Sequence, residues 1–237
     1  MVAFHRLRHS LRDKVIRAVQ EGLTDLEHRS RRDITFAADR LAVTSSAEFV
    51  QLTMPTAPAF PDLMATLRHA LSLAPADGLA LEFGVWSGTT LRVIADARHG
   101  EVYGFDSFQG LPEDWRTGFP AGIFEVDGLP EVPGAELVVG LFSDSLPGFL
   151  AEHSGPVSFL HVDCDLYSST RTVLEHVGPR LRPGSIVLFD EYLNHPGWQE
   201  HEFRAWREYV DATGIGFRYR GYTSDDEQVV VEITAVP

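Results

Sequence analysis

The sequence predicts a doubly wound α/β fold, built on a mostly parallel seven-stranded sheet with a C-terminal antiparallel hairpin. Three observations predict it. From residue 79 onward, short apolar runs alternate with stretches of helical spacing. The apolar runs are nearly continuous, as in strands buried on both faces by crossover helices. The last two runs are separated only by Thr223–Glu227, a connection too short for a crossover, so they pair antiparallel.

Taken in order, residues 1–30 read as a helix. Leu7, Leu11, Val15, Ala18, Val19, Leu23 and Leu26 recur every three or four positions, although Gly22 weakens the pattern. Pro55, Pro58 and Pro61 disfavour a helix over 54–61, which reads as a linker or a covering loop. Pro61 then opens a helix that runs to Leu73. Strands follow at 79–84, 101–106, 136–140, 157–163, 185–191, 216–222 and 228–236. Helices are expected at 89–98, 144–153, 169–181 and 198–213, the second made imperfect by Pro147 and Gly148. The expected division is an N-terminal helical arm and lid segment over 1–60 and a ligand-binding domain over 61–237.

Composition excludes several classes. A chain of 237 residues suits one large domain or two small ones, and needs no disulfide or structural metal to fold. Cys164 is the sole cysteine, so neither an internal disulfide nor a Cys-rich zinc site is available. No apolar run is long enough to span a bilayer, and MVAFHRLRHSLRDKV has no apolar signal-peptide core. A soluble cytoplasmic protein is expected. Residues 1–50 carry nine basic against seven acidic residues, a net of +2, and the rest carries 11 against 27, a net of −16. So acidic a body repels phosphate backbones and argues against a nucleic-acid partner. Lys14 is the only lysine, which removes the P-loop class and leaves a Schiff base little room.

In doubly wound sheets, ligands sit at the carboxyl ends of the strands. The first strand ends as Glu82-Phe83-Gly84-Val85-Trp86-Ser87-Gly88-Thr89, a turn that brings backbone N–H groups to a ligand or simply turns the chain tightly. Two glycines do not complete G-x-G-x-x-G, which counts against a dinucleotide and an NAD-dependent oxidoreductase. Asp106 lies 22 residues after Gly84, where an acid accepts from ribose hydroxyls; it could instead cap the turn at Ser107. Phe142 and Ser143 follow the third strand, where an apolar ring packs on adenine or belongs to the core. Asp163 and Asp165 follow the fourth strand, and Asp190 and Glu191 the fifth. One such acid would read as a helix cap. Two pairs on adjacent strands repel one another unless a hard dication, Mg²⁺, Mn²⁺ or Ca²⁺, relieves them. His161 lies within a strand pattern and reads as core. His195 follows the acids in a loop, where it could contact substrate or act as a base.

LEFGVWSGTT, VYGFDSFQGLPEDW, FLHVDCDLYSST and VLFDEY together resemble the macrocin O-methyltransferase family, over about residues 50–212. The family comprises class I, Rossmann-like, metal-dependent O-methyltransferases of antibiotic biosynthesis. The resemblance implies S-adenosyl-L-methionine as cofactor and a small-molecule hydroxyl acceptor, such as a sugar or diol. It implies that Glu82, Gly84, Ser87, Gly88 and Thr89 hold the methionine end, with Asp163 beside them. Asp106 and Ser107 would hold the ribose, and Phe142 and Ser143 the adenine. Asp163, Asp190 and Glu191 would hold the metal, with Asp165 as general base. Met54 would lie in the segment folded over the site. The family more often has Asp-Asp where this chain has Asp190-Glu191, and its first forty residues match poorly. The N-terminal helix, with the family analogy, points to a homo-oligomer. A cofactor-binding subunit without catalysis is the reading that the intact acidic set opposes.

Overall fold

The computed structural model describes residues 2–98 and 100–237, with side chains from residue 14 onward. Two helices lead: α1 (Val2–Arg32) and α2 (Ile34–Thr53). Asp33 separates them and caps α2, its carboxylate accepting the N–H groups of Thr35 and Phe36. On α1, Val15, Val19, Leu23 and Leu26 are exposed, while Leu7 and Leu11 lie outside the described side chains. On α2, Ala42 and Ser46 are buried, and Phe49 and Val50 pack on the main core. No helix among the described residues is long and apolar enough to cross a membrane.

The remaining elements alternate. They are β1 (Ala59–Phe60), α3 (Leu63–Leu73), β2 (Leu79–Phe83), α4 (Thr89–Ala97), β3 (Val102–Asp106), β4 (Glu136–Val139), α5 (Phe142–Glu152) and β5 (Val157–Val162). After them come α6 (Tyr167–Val177), β6 (Leu181–Phe189), α7 (Glu202–Thr213), β7 (Gly216–Thr223) and β8 (Val229–Ala235). The sheet order is β1-β7-β8-β6-β5-β2-β3-β4. Only β8 runs antiparallel, between β6 and β7. The seven expected strands are all present. The eighth, β1, is a two-residue addition in the proline-rich segment, pairing parallel with β7.

Two further differences have local causes. The third helix starts at Leu63 rather than at Pro61, because Asp62 takes the cap position and accepts the Ala65 N–H. Pro147 sits inside α5, which starts at Phe142; the helix absorbs one missing N–H near its N-terminus. Apolar layers cover both faces. Phe83, Phe105, Leu160, Val187 and Trp206 belong to one layer, and Leu67, Leu91, Ile94, Phe159 and Leu188 to the other. β2, β5 and β6 are buried through to their carboxyl ends, so whatever follows them is held on a rigid edge.

Candidate active site

The carboxyl ends of β2, β3, β5 and β6 enclose a cavity of about 610 Å³. Its wall includes Gly84, Ser87, Thr89, Asp106, Ser107, Phe142, Ser143, Asp163, Asp165 and Glu191. Ten of the fifteen residues expected at the site thus meet around one space. Met54, Glu82, Gly88, Asp190 and His195 are not on its wall. Met54 is buried in the main core as the C-terminal cap residue of α2, and Gly88 is the left-handed cap residue of α4, at φ 73°.

Gly84 explains how β2 and β5 come so close. It has φ +94°, and a Cβ there would stand 1.6 Å from the Asp163 carbonyl oxygen. Its N–H donates to Phe105, and the Asp163 N–H donates to Phe83, so three strand ends are stitched together at this point. Asp106 adds a polar tie. Its Oδ2 accepts the N–H groups of Val85 and Trp86 at 2.9 and 2.8 Å, and its Oδ1 accepts that of Phe108 at 2.7 Å. A carboxylate has roughly four acceptor positions. Asp106 therefore organises the glycine turn and keeps capacity for one more donor from the cavity.

The acids after β5 and β6 are differently placed. Asp163 and Asp190 each offer an oxygen, and His161 a ring nitrogen, all within 4.8 Å of one another. Glu191 lies outside that trio. Its N–H donates to Glu202 at 3.0 Å, while its Oε2 is buried without a partner. Asp190 Oδ1, Glu202 Oε1 and His161 Nε2 are also buried and unpartnered. Burial first, and then the charge of Asp190, holds Asp163 well above the usual carboxylate range. The same two causes push Asp165 up to about 7. Burial and the neighbouring Asp165 and Asp190 raise Glu191 as well. Burial opposes charge on His161, but Asp190 and Glu82 outweigh it and lift the imidazole well above its ordinary value. Unpartnered oxygens in a buried, crowded acidic rim fit a divalent cation.

His195 is buried behind this rim, its Nε2 3.3 Å from the Glu191 carbonyl. Burial and the Arg116 charge lower it to about 4, so it is neutral at neutral pH. Asp165 adopts φ 62°, a left-handed conformation uncommon for a residue other than glycine, and lies on the cavity wall shortly before α6.

Sequence reasoning missed the opposite wall. After β3 the chain lays Leu111, Trp115, Arg116, Phe119 and Phe124 along the cavity, with Trp86 facing them. Arg116 stacks at 3.9 Å over Trp115 and bonds both oxygens of Glu227 at 3.0 and 3.1 Å. Ser168 donates to Glu113 at 2.5 Å, so the loop is tied to both α6 and the β7–β8 turn. Glu202 was missed too. It falls in step with Ala205 and Trp206 on the buried stripe of α7, and a carboxylate on an apolar stripe was the available signal.

This architecture defines a Rossmann-like methyltransferase fold. Residues 81–192 match the family described as "Methyltransferase domain". The chain is 30% identical over 156 residues to an 8-demethyl-8-(2,3-dimethoxy-alpha-L-rhamnosyl)-tetracenomycin-C 4'-O-methyltransferase of Streptomyces olivaceus, covering 53% of this chain and 58% of that protein. It is 30% identical over 168 residues to a mycinamicin III 3''-O-methyltransferase of Micromonospora griseorubida, covering 58% and 66%. Among solved structures, the calicheamicin methyltransferase CalS11 is similar at 26% identity and a TM-score of 0.56, over 71% of this chain and 76% of that one. The O-methyltransferase NovP is similar at 26% and 0.54, over 71% and 78%. The chain therefore spans somewhat under two thirds of the length of the two curated relatives. These matches liken residues 81–192 to methyltransferase domains, in keeping with the motifs of that stretch.

Proposed function

We propose that this protein is an S-adenosyl-L-methionine-dependent O-methyltransferase, assisted by Mg²⁺ or Mn²⁺, that methylates a sugar or diol hydroxyl of a small natural product. The observation that carries this reading is the acidic rim after β5 and β6: Asp163, Asp165 and Glu191 line the cavity beside the glycine turn, and Asp190 Oδ1 and Glu191 Oε2 are buried without partners. The curated relatives, named as methyltransferases of glycosylated antibiotics, support the acceptor class.

Each part of the cavity has a task. The turn at Gly84–Thr89 brings backbone close to the cofactor's methionine end. Asp106 offers its remaining acceptor position to the ribose, and Phe142 and Ser143 flank the adenine. Asp163 and Asp190, whose oxygens converge with a ring nitrogen of His161 within 4.8 Å, would hold the cation, with Glu191 beside them on the cavity wall. When bound, the cation supplies positive charge that favours ionisation of the acceptor hydroxyl. Asp165, on the wall next to the rim, takes the hydroxyl proton. S-adenosyl-L-methionine, when bound, would supply the methyl group to the acceptor oxygen, its sulfur keeping the bonding pair and S-adenosylhomocysteine being the product. The aromatic wall orients the acceptor and excludes water, so that oxygen, methyl and sulfur align.

The test is methyl transfer from labelled S-adenosyl-L-methionine to a panel of glycosylated natural products, with Mg²⁺ or with EDTA. The reading expects a monomethylated product that is lost in EDTA and restored by the cation. Tight cofactor binding with no transfer to any hydroxyl in the panel would favour the non-catalytic reading instead.

A further inference from the structure

Beneath the rim lies a buried pair that the acceptor chemistry does not use. Glu82 is in register with His161 on the neighbouring strand, and His161 with Leu188 on the next. Residues two apart on a strand share a face, so Asp163 follows His161 and Asp190 follows Leu188 on that same side. Glu82 is fully buried, and its Oε1 accepts from His161 Nδ1 at 2.9 Å. The other ring nitrogen, Nε2, stands 3.5 Å from Asp190 Oδ1. From the far side, Gln228 Nε2 donates to Asp190 Oδ2 at 3.3 Å. Gln228 thus bonds one oxygen of Asp190, while His161 Nε2 faces the other across 3.5 Å without a hydrogen bond. Glu82 meanwhile has no contact with the cavity that would take the cofactor.

We infer that Glu82 and His161 are a positioning pair that aims the Asp190 carboxylate at the divalent cation, and that Glu82 does not bind S-adenosyl-L-methionine. This inference rests on the metal-assisted reading above. Outer residues of this kind fix the orientation of metal-binding side chains, and their loss weakens metal affinity by about 10–100-fold. The pair also explains two costly features together: a carboxylate buried in the sheet interior and a histidine with no route to solvent. A group that only fills space would be apolar there.

The experiment uses the full-length chain and reads binding rather than turnover. Mn²⁺ affinity is measured by loss of the free-ion spin-resonance signal, and S-adenosylhomocysteine affinity by calorimetry in chelator. Glu82→Gln is expected to raise the Mn²⁺ Kd about 10-fold and to leave the S-adenosylhomocysteine Kd within about twofold. His161→Leu is expected to cost about 10–100-fold in Mn²⁺ affinity. His161→Gln, whose amide reaches where Nε2 stood, is expected to recover part of that loss. If Glu82→Gln does not fold, the difference between the two His161 variants still decides the question. Weakened S-adenosylhomocysteine binding with unchanged Mn²⁺ affinity in Glu82→Gln would overturn the inference and return Glu82 to the cofactor. Equal Mn²⁺ affinity in His161→Leu and wild type would overturn it while leaving the proposed function standing. A wild-type chain that binds no Mn²⁺ would overturn both.

Discussion

Two acidic regions share one edge of the sheet and are satisfied in opposite ways. Asp106, after β3, spends its carboxylate on three backbone N–H groups and holds the glycine turn in place. The acids after β5 and β6 have few protein donors, and oxygens of Asp190 and Glu191 are buried without partners. A carboxylate filled by backbone donors is a structural tie that can touch a ligand in passing. Carboxylates crowded against their own repulsion are relieved by protonation, the direction in which Asp163, Asp165 and Glu191 are pushed, or by a positive charge brought to them. On the proposed reading, the first region serves the cofactor and the second the cation.

Four perturbations break or sharpen that contrast. The largest effect is expected from Gly84→Ala, which acts where the two regions meet. The new Cβ collides with the Asp163 carbonyl at a left-handed φ, so the β2 and β5 ends must part. A loss of about 3 kcal/mol or more is expected in urea unfolding, with loss of both cofactor and cation binding. Stability within about 1 kcal/mol of wild type would show that the strand ends are not held as tightly as the geometry requires.

Asp163→Ala should lower Mn²⁺ affinity by at least about 100-fold and abolish methyl transfer, with S-adenosylhomocysteine binding retained. A smaller and opposite pattern is expected from Asp106→Ala. It frees three backbone N–H groups and should cost about 2 kcal/mol in unfolding free energy, weakening the cofactor but not the cation. Calorimetric titrations of both ligands against both variants test the exchange of roles. The smallest effect belongs to Arg116→Ala on the aromatic wall. Its partly buried ion pair with Glu227 is worth about 1 kcal/mol, and its removal should raise KM for the acceptor several-fold with little change in kcat. An unchanged acceptor KM would remove Arg116 and its wall from acceptor binding.

How much of this was legible in the sequence follows from how local each signal is. The strands were readable because β2, β5 and β6 are buried on both faces, which leaves apolar runs such as LALEF and IVLF. Asp163, Asp165, Asp190 and Glu191 were readable because strand ends fix their place without knowledge of side-chain contacts. Helix α2 was not anticipated. Thr44, Ser45, Ser46 and Thr53 dilute its apolar pattern, although Asp33 carried a usable cap signal. Strand β1 is two residues long and exists only because β7 offers it an edge. Arg116 and Glu227 meet across 111 positions, and no spacing rule reaches that far. Glu82 looked like part of the glycine turn because it precedes Gly84, but strand alternation points it to the opposite side from Phe83, toward His161.

On the proposed reading, the acidic rim after β5 and β6, and not Asp106 beside the glycine turn, receives a dication. One Mn²⁺ titration of wild type, Asp163→Asn and Asp106→Asn tests it most directly. The account predicts one Mn²⁺ bound per chain in wild type and in Asp106→Asn, with affinity reduced about 100-fold in Asp163→Asn. Equal Mn²⁺ affinity in the two variants, or no saturable binding in the wild type, would contradict it.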